Sequence, residues 1–553
     1  MAYAAGTILR RGPGRSARDG IYLWESLTLS MDKRDLEKRY PVCCSLIEEP
    51  LAAALAGELS EESAAEDLKR LLEREVSSGK LAEYIPELAG LEEAICRIEE
   101  TEHGFPGKIS GYRINPALDI LELSWSFSDV MDPLKRRLEG TPEDREERAL
   151  LWKVPGTGEL KIERAGPGDL LALKLVYEEP GSEAAATAAG LGTQELKSAL
   201  KRAAAKGLLL KPESLLKRYI KTDAPEPEFQ KADIFTLQWH ITNACDLNCR
   251  HCYDRSEISP LRPEAGRRLL GDMERFCEKQ HAEGHVCFTG GNPFMYPHFF
   301  ELYEEAAHRG FSTSILANPV TGESLERLSR IQEPEYFQVS LEGFSGLNDY
   351  MRGKGHFSRT VKFLGLLREK GISGSVMLTL TKDNIAQVTG LAAELEGKVD
   401  YFTFNRLSRV GEGEALLLPD RGEYLAFLRD YVKASENNPV MGFKDNLINT
   451  VLREKGAPPF DGCTGQGCGA AFNFLAVLPD GEAHACRKFP SPLGNVIEQG
   501  IEAIYYSPLA GRYRQGPGEC EGCALALKCR GCMAAAYSEK KDMFIRKDPY
   551  CPL

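Results

Sequence analysis

ITNACDLNCRHCYDRS, residues 241–256, follows directly on the apolar, β-rich run IFTLQWHI that begins at Ile234. Its C-x3-C-x2-C spacing offers three thiolates, Cys245, Cys249 and Cys252, to one cluster of four irons and leaves the fourth iron without a protein ligand; a closed cluster takes four cysteines. An iron left open in this way can bind a small molecule. The competing reading is a zinc site, which wants a fourth Cys or His nearby; His251 is the residue at hand.

Outward from this loop the chain alternates. Runs of strand type stand at Ile234, at His285 (HVCF), at Phe311 (FSTSILA), at Tyr336 (YFQVSL), at Gly374 (GSVMLTL) and at Tyr401 (YFTFNRL), with helical patterns such as Glu264 to Glu283 between them. Six strand–helix units imply a parallel sheet with helices outside it. Curled into an incomplete barrel, that sheet places the Cys loop at the carboxyl ends of the strands, where α/β barrels keep their active sites.

The Cys loop resembles the signature of the radical S-adenosylmethionine (SAM) enzymes, and further marks agree. Thr289-Gly290-Gly291-Asn292-Pro293 stands where the family has G-G-E-P, with Asn292 in place of Glu. Ala317-Asn318-Pro319 stands where relatives have T-N-G. VSLEGFSGLNDYMRGKGHF, from Val339, resembles the block V-S-L-D-G…H-D…R-G…G-x-F, with Glu342 and Asn348 as departures. The resemblance implies a partial (β/α)6 TIM-like barrel in which SAM is cleaved to a 5'-deoxyadenosyl radical. It also assigns cofactor contacts to Tyr253, Gly290, Gly291, Asn292, Pro293, Asn318, Ser340 and Arg352. Without it, GGNP is a turn whose glycines admit a close ligand approach, Ser340 a strand-end serine and Arg352 a solvated cation. No general base is identified: Asp246, Asp254, Glu342 and Arg406 all lie near strand ends.

Eight more cysteines, Cys463, Cys468, Cys486, Cys520, Cys523, Cys529, Cys532 and Cys551, follow in a segment poor in long periodic elements. Their pattern resembles the SPASM extension of peptide-modifying radical SAM enzymes, although Cys529 and Cys532 are separated by two residues where many relatives have three, so the turn at Arg530 and Gly531 must be tighter. The resemblance implies one auxiliary four-iron cluster on Cys463, Cys468, Cys486 and Cys532 and a second on Cys520, Cys523, Cys529 and Cys551, making three 4Fe-4S clusters in all. Two zinc ribbons are the alternative on spacing alone. The other five cysteines, Cys43, Cys44, Cys96, Cys277 and Cys287, lie in helix or strand patterns as small hydrophobes.

Sixteen cysteines in 553 residues without a signal-like segment suit a reducing, cytoplasmic compartment. A net charge of −13 argues against nucleic acid as the main partner. No run is long enough to span a membrane.

The domain plan read from the chain has residues 1–30 as a disordered leader or mis-called start, 31–108 helical, 109–219 winged-helix-like, 220–233 a linker with PEPEF from Pro225, 234–445 the barrel and 446–553 the Cys-rich domain. In peptide-modifying radical SAM enzymes a domain like 109–219 binds the leader of a precursor peptide; a spacer or a DNA-binding role are the other readings. Together the motifs most resemble the thio(seleno)oxazole (selenobiotic) peptide maturases. The implied partners are a precursor peptide and an electron donor such as flavodoxin or ferredoxin. A maturase of a folded protein, of the sulfatase-maturase kind, and a non-catalytic zinc regulator are the alternatives.

Overall fold

The computed structural model describes residues 33–47, 64–100, 109, 111–178, 193–222 and 226–553. The expectation for residues 1–30 lies outside them, as does the Pro225 that opens PEPEF in the linker. The chain forms two compact units, one of residues 1–106, 113–178 and 202–210, the other of 107–112, 179–201 and 211–553.

In the first unit a three-stranded antiparallel sheet runs Leu118–Ser126, Glu143–Lys153, Leu160–Arg164. Helices Ala64–Ser77 and Ile85–Glu100 share one core with it: Leu72, Leu88 and Ile95 pack with Phe127, Ala149 and Leu151. Leu88, Leu91, Ile95 and Ile98 recur at helical spacing, so one stripe of that helix is apolar. Buried Glu92 breaks the stripe usefully. Its carboxylate accepts hydrogen bonds from the Val42 and Cys43 amides, at 2.7 and 2.8 Å, at the start of helix Pro41–Leu46. Helices Pro167–Tyr177 and Thr193–Lys206 follow the sheet in the chain.

The second unit holds the six expected parallel strands, side by side in chain order: Ile234–Thr242, Glu283–Gly290, Ser312–Leu316, Phe337–Ser340, Gly374–Leu380 and Tyr401–Arg406. The middle of the second is buried at six successive residues, as a strand covered on both faces must be. Helices intervene as the pattern requires; Pro263 opens the first, Pro263–Lys279, where its missing N–H costs nothing. Asp420 and Glu423 form a reciprocal capping box on the last, Arg421–Ser435. Trp239, Phe288, Phe299 and Tyr303 pack with ring centroids 5.6–5.9 Å apart, each contributing about 1.5–3 kcal/mol by burial.

One strand lies outside the sequence reading. Phe474–Val477, from the Cys-rich segment, pairs parallel with the first barrel strand, Phe474 opposite Thr236 and Val477 opposite Trp239. The sheet then continues through Glu482–His484 and Pro492–Asn495. Four apolar residues among glycines and cysteines are too short a run to betray a sheet partner so far away in sequence. Among the described residues no helix is long and apolar enough to cross a membrane.

Candidate active site

The Cys loop leaves the first barrel strand at Thr242, beside the end of the second. There the amide of Gly291 donates to Thr242 O at 2.7 Å and that of Asn292 to Ala244 O at 2.8 Å. A Cβ on Gly291 would lie 2.3 Å from Ala244 O. Glycine is needed at this place because the root of the Cys loop lies against it, a use the sequence reading gave to ligand approach alone.

Cys245, Cys249 and Cys252 line a cavity of about 790 Å³, together with Tyr253, Gly290, Gly291, Asn318 and Arg352. Cys245 is exposed and the other two thiols are half-buried. Asn318 Nδ2 lies 3.5 Å from Cys245 Sγ and Arg352 Nη1 3.7 Å from Cys249 Sγ. Burial, then the charges of Asp246 and Cys252, push the Cys245 thiol up; bound metal cations reverse that balance and favour thiolates. His240 Nε2, His251 Nδ1, Ser408 Oγ, Asn473 Oδ1 and Arg487 Nη1 all belong to residues of this cavity wall and are buried without a hydrogen-bond partner. Five such atoms fit a polar ligand with many contacts, SAM or substrate.

Asn292, Pro293 and Ser340 are not on that wall. Buried Asn292 donates to Asp246 Oδ1 at 2.8 Å, and Asn318 donates to the same oxygen at 2.7 Å. The two amides hold a carboxylate beside Cys245. Ser340 ends its strand opposite Met377.

The remaining thiols fall into two groups. Cys463, Cys468, Cys486 and Cys532 line a cavity of about 50 Å³, and Cys520, Cys523, Cys529 and Cys551 one of about 20 Å³. Cys463 and Cys486 also reach the large cavity. Among the described residues no three or more His, Cys, Asp or Glu converge as they do on a single metal ion. Buried side chains fix the backbone that carries the thiols. Asn446 accepts from the Cys463 amide at 2.7 Å and donates to Cys529 O and Gly531 O, both at 2.8 Å. The tight turn between Cys529 and Cys532 takes Arg530 and Gly531 into the left-handed region, at φ 57° and 61°. Such a conformation is costly for Arg530, and its guanidinium holds it there by donating to Arg514 O and Cys468 O at 2.6 Å.

Residues 239–395 match the radical SAM superfamily and residues 468–533 match SPASM, an iron–sulfur cluster-binding domain. The chain contains a radical SAM domain and a SPASM domain. The antilisterial bacteriocin subtilosin biosynthesis protein AlbA of Bacillus subtilis is 24% identical, over 55% of this chain and 68% of its own. The AdoMet-dependent heme synthase of Methanosarcina barkeri is 25% identical, over 57% and 95%. The mycofactocin maturase MftC of Mycolicibacterium smegmatis is 28% identical, over 54% and 78%. The two domains imply 4Fe-4S clusters and SAM as cofactors.

The four residues considered for a general base are already engaged. Glu342, fully buried, accepts from Arg352 at 2.6 Å and from the Thr379 amide at 2.7 Å, and His251 Nε2 lies 3.2 Å away. Burial opposes its ionisation, yet His251 and Arg352 hold the carboxyl down at about 2. Arg406 bridges Asp445 and Asp548, at 2.7 and 2.9 Å, tying the last barrel strand to the SPASM domain. Asp254 accepts from the Ser256 amide at 2.8 Å, and Asp246 serves the two asparagines. The sequence reading missed His240 and Arg487. Their only signal is position, one on the strand leading to the Cys loop and the other next to Cys486.

Proposed function

We propose that this chain matures a ribosomally made precursor peptide: it cleaves SAM reductively and takes hydrogen from a peptide carbon, installing a thioether, heterocycle, crosslink or oxidation. One observation carries the reading. The three thiols of the Cys loop and two thiols of the SPASM domain, Cys463 and Cys486, line the same cavity, so a radical source and an electron acceptor would face one substrate.

In this reading Cys245, Cys249 and Cys252 hold the SAM-binding cluster, Cys463, Cys468, Cys486 and Cys532 the nearer auxiliary cluster, and Cys520, Cys523, Cys529 and Cys551 the farther one. The separate cavities on which the three sets converge support it. When bound, the first cluster supplies the one-electron cleavage of SAM to the 5'-deoxyadenosyl radical. The chain's own part is to enclose and orient. Tyr253, Asn318 and Arg352 shape the SAM side of the cavity, and its barrel walls keep water from a reactive carbon. With four thiols in each auxiliary set, those clusters would carry electrons and bind no substrate.

The names of AlbA and MftC, a bacteriocin biosynthesis protein and a maturase, support a peptide substrate; the heme synthase shows that relatives also carry other names. The thio(seleno)oxazole assignment rests on the quoted motifs. For leader recognition, the three-stranded sheet of the first unit has two edges, Leu118–Ser126 and Leu160–Arg164, and a peptide strand can add to such an edge. Flavodoxin or ferredoxin would supply the electron, in the cytoplasm.

Anaerobic reconstitution with iron and sulfide analysis tests the reading. About twelve irons per chain, 5'-deoxyadenosine under reductant and a mass change in a peptide encoded beside this gene are the expected results. Zinc in place of iron, with no SAM cleavage, overturns it. Cleavage with the peptide unchanged, together with modification of a folded protein, transfers the activity to that substrate class.

A further inference from the structure

Arg487 follows Cys486 immediately, just past the strand Glu482–His484, and its side chain enters the large cavity. Three contacts hold it. The guanidinium carbon sits 3.6 Å from the centroid of the Tyr253 ring, Nε donates to His240 Nδ1 at 3.0 Å, and Nη2 lies 3.5 Å from Asp254 Oδ2. Nη1 has no partner, although it is buried and the side chain is only 13% exposed. Because His240 Nδ1 accepts from Arg487, the imidazole proton must sit on Nε2, and that N–H is likewise buried without a partner. Burial, then the charge of Arg487, hold His240 in its neutral form.

The wall thus presents two unused N–H donors, one on a cation, from residues that support each other. Asp254 pairs with Nη2 through a long contact of 3.5 Å, and Nη1 and His240 Nε2 are left without an acceptor. A carboxylate brings two acceptor oxygens for two donors and makes the stronger, charge-assisted bond to a guanidinium, where a buried N–H left unpaired is costly. The other arginines of the cavity have partners of their own: Arg352 gives its guanidinium to Glu342, Arg406 to Asp445 and Asp548, and Arg255 meets Glu412 and Cys249 O.

We propose that Arg487 and His240 form a carboxylate-binding subsite of the cavity, filled by an acidic group of the substrate or by the carboxylate of SAM. The inference rests on the radical SAM reading of the cavity, which 5'-deoxyadenosine formation by the wild-type protein checks independently. Two binding arms on the anaerobically reconstituted full chain separate the sources. Equilibrium dialysis compares SAM with decarboxylated SAM. Saturation-transfer NMR, with SAM present, compares N-acetyl-glutamate methylamide with its glutamine analogue. Arg487→Gln is expected to weaken an acidic probe about tenfold and to leave its neutral analogue unchanged. Loss in the dipeptide arm assigns the subsite to the substrate; loss of SAM but not of decarboxylated SAM assigns it to the cofactor. Unchanged binding in both arms, or wild-type protein that does not prefer the acid in either, overturns the proposal. If Arg487→Gln fails to take up iron, Arg487→Lys serves instead: it keeps the charge and loses the fork, so a roughly threefold weakening of the same probe is expected, and none overturns the subsite.

Discussion

The loop of Cys245, Cys249 and Cys252 and the segment from Cys463 to Cys551 use the same side chain in opposite settings. The loop borders a cavity of about 790 Å³ and leaves Cys245 exposed. The segment wraps its thiols, four at a time, around spaces of about 50 and 20 Å³, and of these thiols Cys463 and Cys486 also reach the large cavity. Support differs in the same sense. Buried Asn446, Arg530 and Asp548 grip the backbone of the later cysteines, whereas the root of the early loop rests on the close approach of Gly291. In the proposed function, room beside the thiols, more than the thiols themselves, would separate a place where a bound metal meets small molecules from one where it exchanges electrons.

Single substitutions can break this contrast, and the largest effect falls on the open side. Cys249→Ala is expected to remove about four irons and to abolish 5'-deoxyadenosine formation, while Cys529→Ala removes a similar number and leaves SAM cleavage standing. Loss of cleavage in Cys529→Ala, with the first cluster still visible by electron paramagnetic resonance, would erase the distinction. Asp548→Ala leaves Arg406 short of one of its two buried counter-ions and should destabilise the protein by about 3–5 kcal/mol, read by anaerobic urea denaturation; a loss below about 1 kcal/mol would show that this tie between barrel and SPASM domain matters little.

Acid titration probes the support behind the cavity wall, where Glu342 holds Arg352. Glu342 has its carboxyl depressed from 4.5 to about 2. A depressed carboxyl stabilises the fold above its unfolded value, so this contribution is complete above pH 4.5 and is lost as pH falls toward 2. Apoprotein carrying Glu342→Gln should therefore show a flatter fall in stability across that window, and an unaltered slope would mean the group is not charged in the fold. Gly291→Ala has the smallest expected effect, about 1–3 kcal/mol. It should lower iron uptake at the early loop alone, and equal losses at all three sites would break the asymmetry of support.

How much of this could be read from the chain varies with the range of the interaction. Each barrel strand is a short apolar run with its own flanking signals, and the cysteine spacings are local, so both were legible. The partner of Phe474–Val477 was not, because four apolar residues carry no record of a strand some two hundred positions earlier. Asn292 illustrates a different limit. Its place in the GGNP motif was plain, but its contact with Asp246 depends on where a neighbouring loop settles. Arg487 gave no motif at all; its meaning lies in the partners left unfilled around it.

The pairing of Phe474–Val477 with Ile234–Thr242 also sets a timetable. During synthesis, the strand that leads into the first Cys loop emerges well before its partner and keeps one edge bare until Phe474–Val477 has left the ribosome. The nascent barrel is therefore exposed to mispairing throughout that interval, and a chain ending before Phe474 would keep that exposed edge permanently.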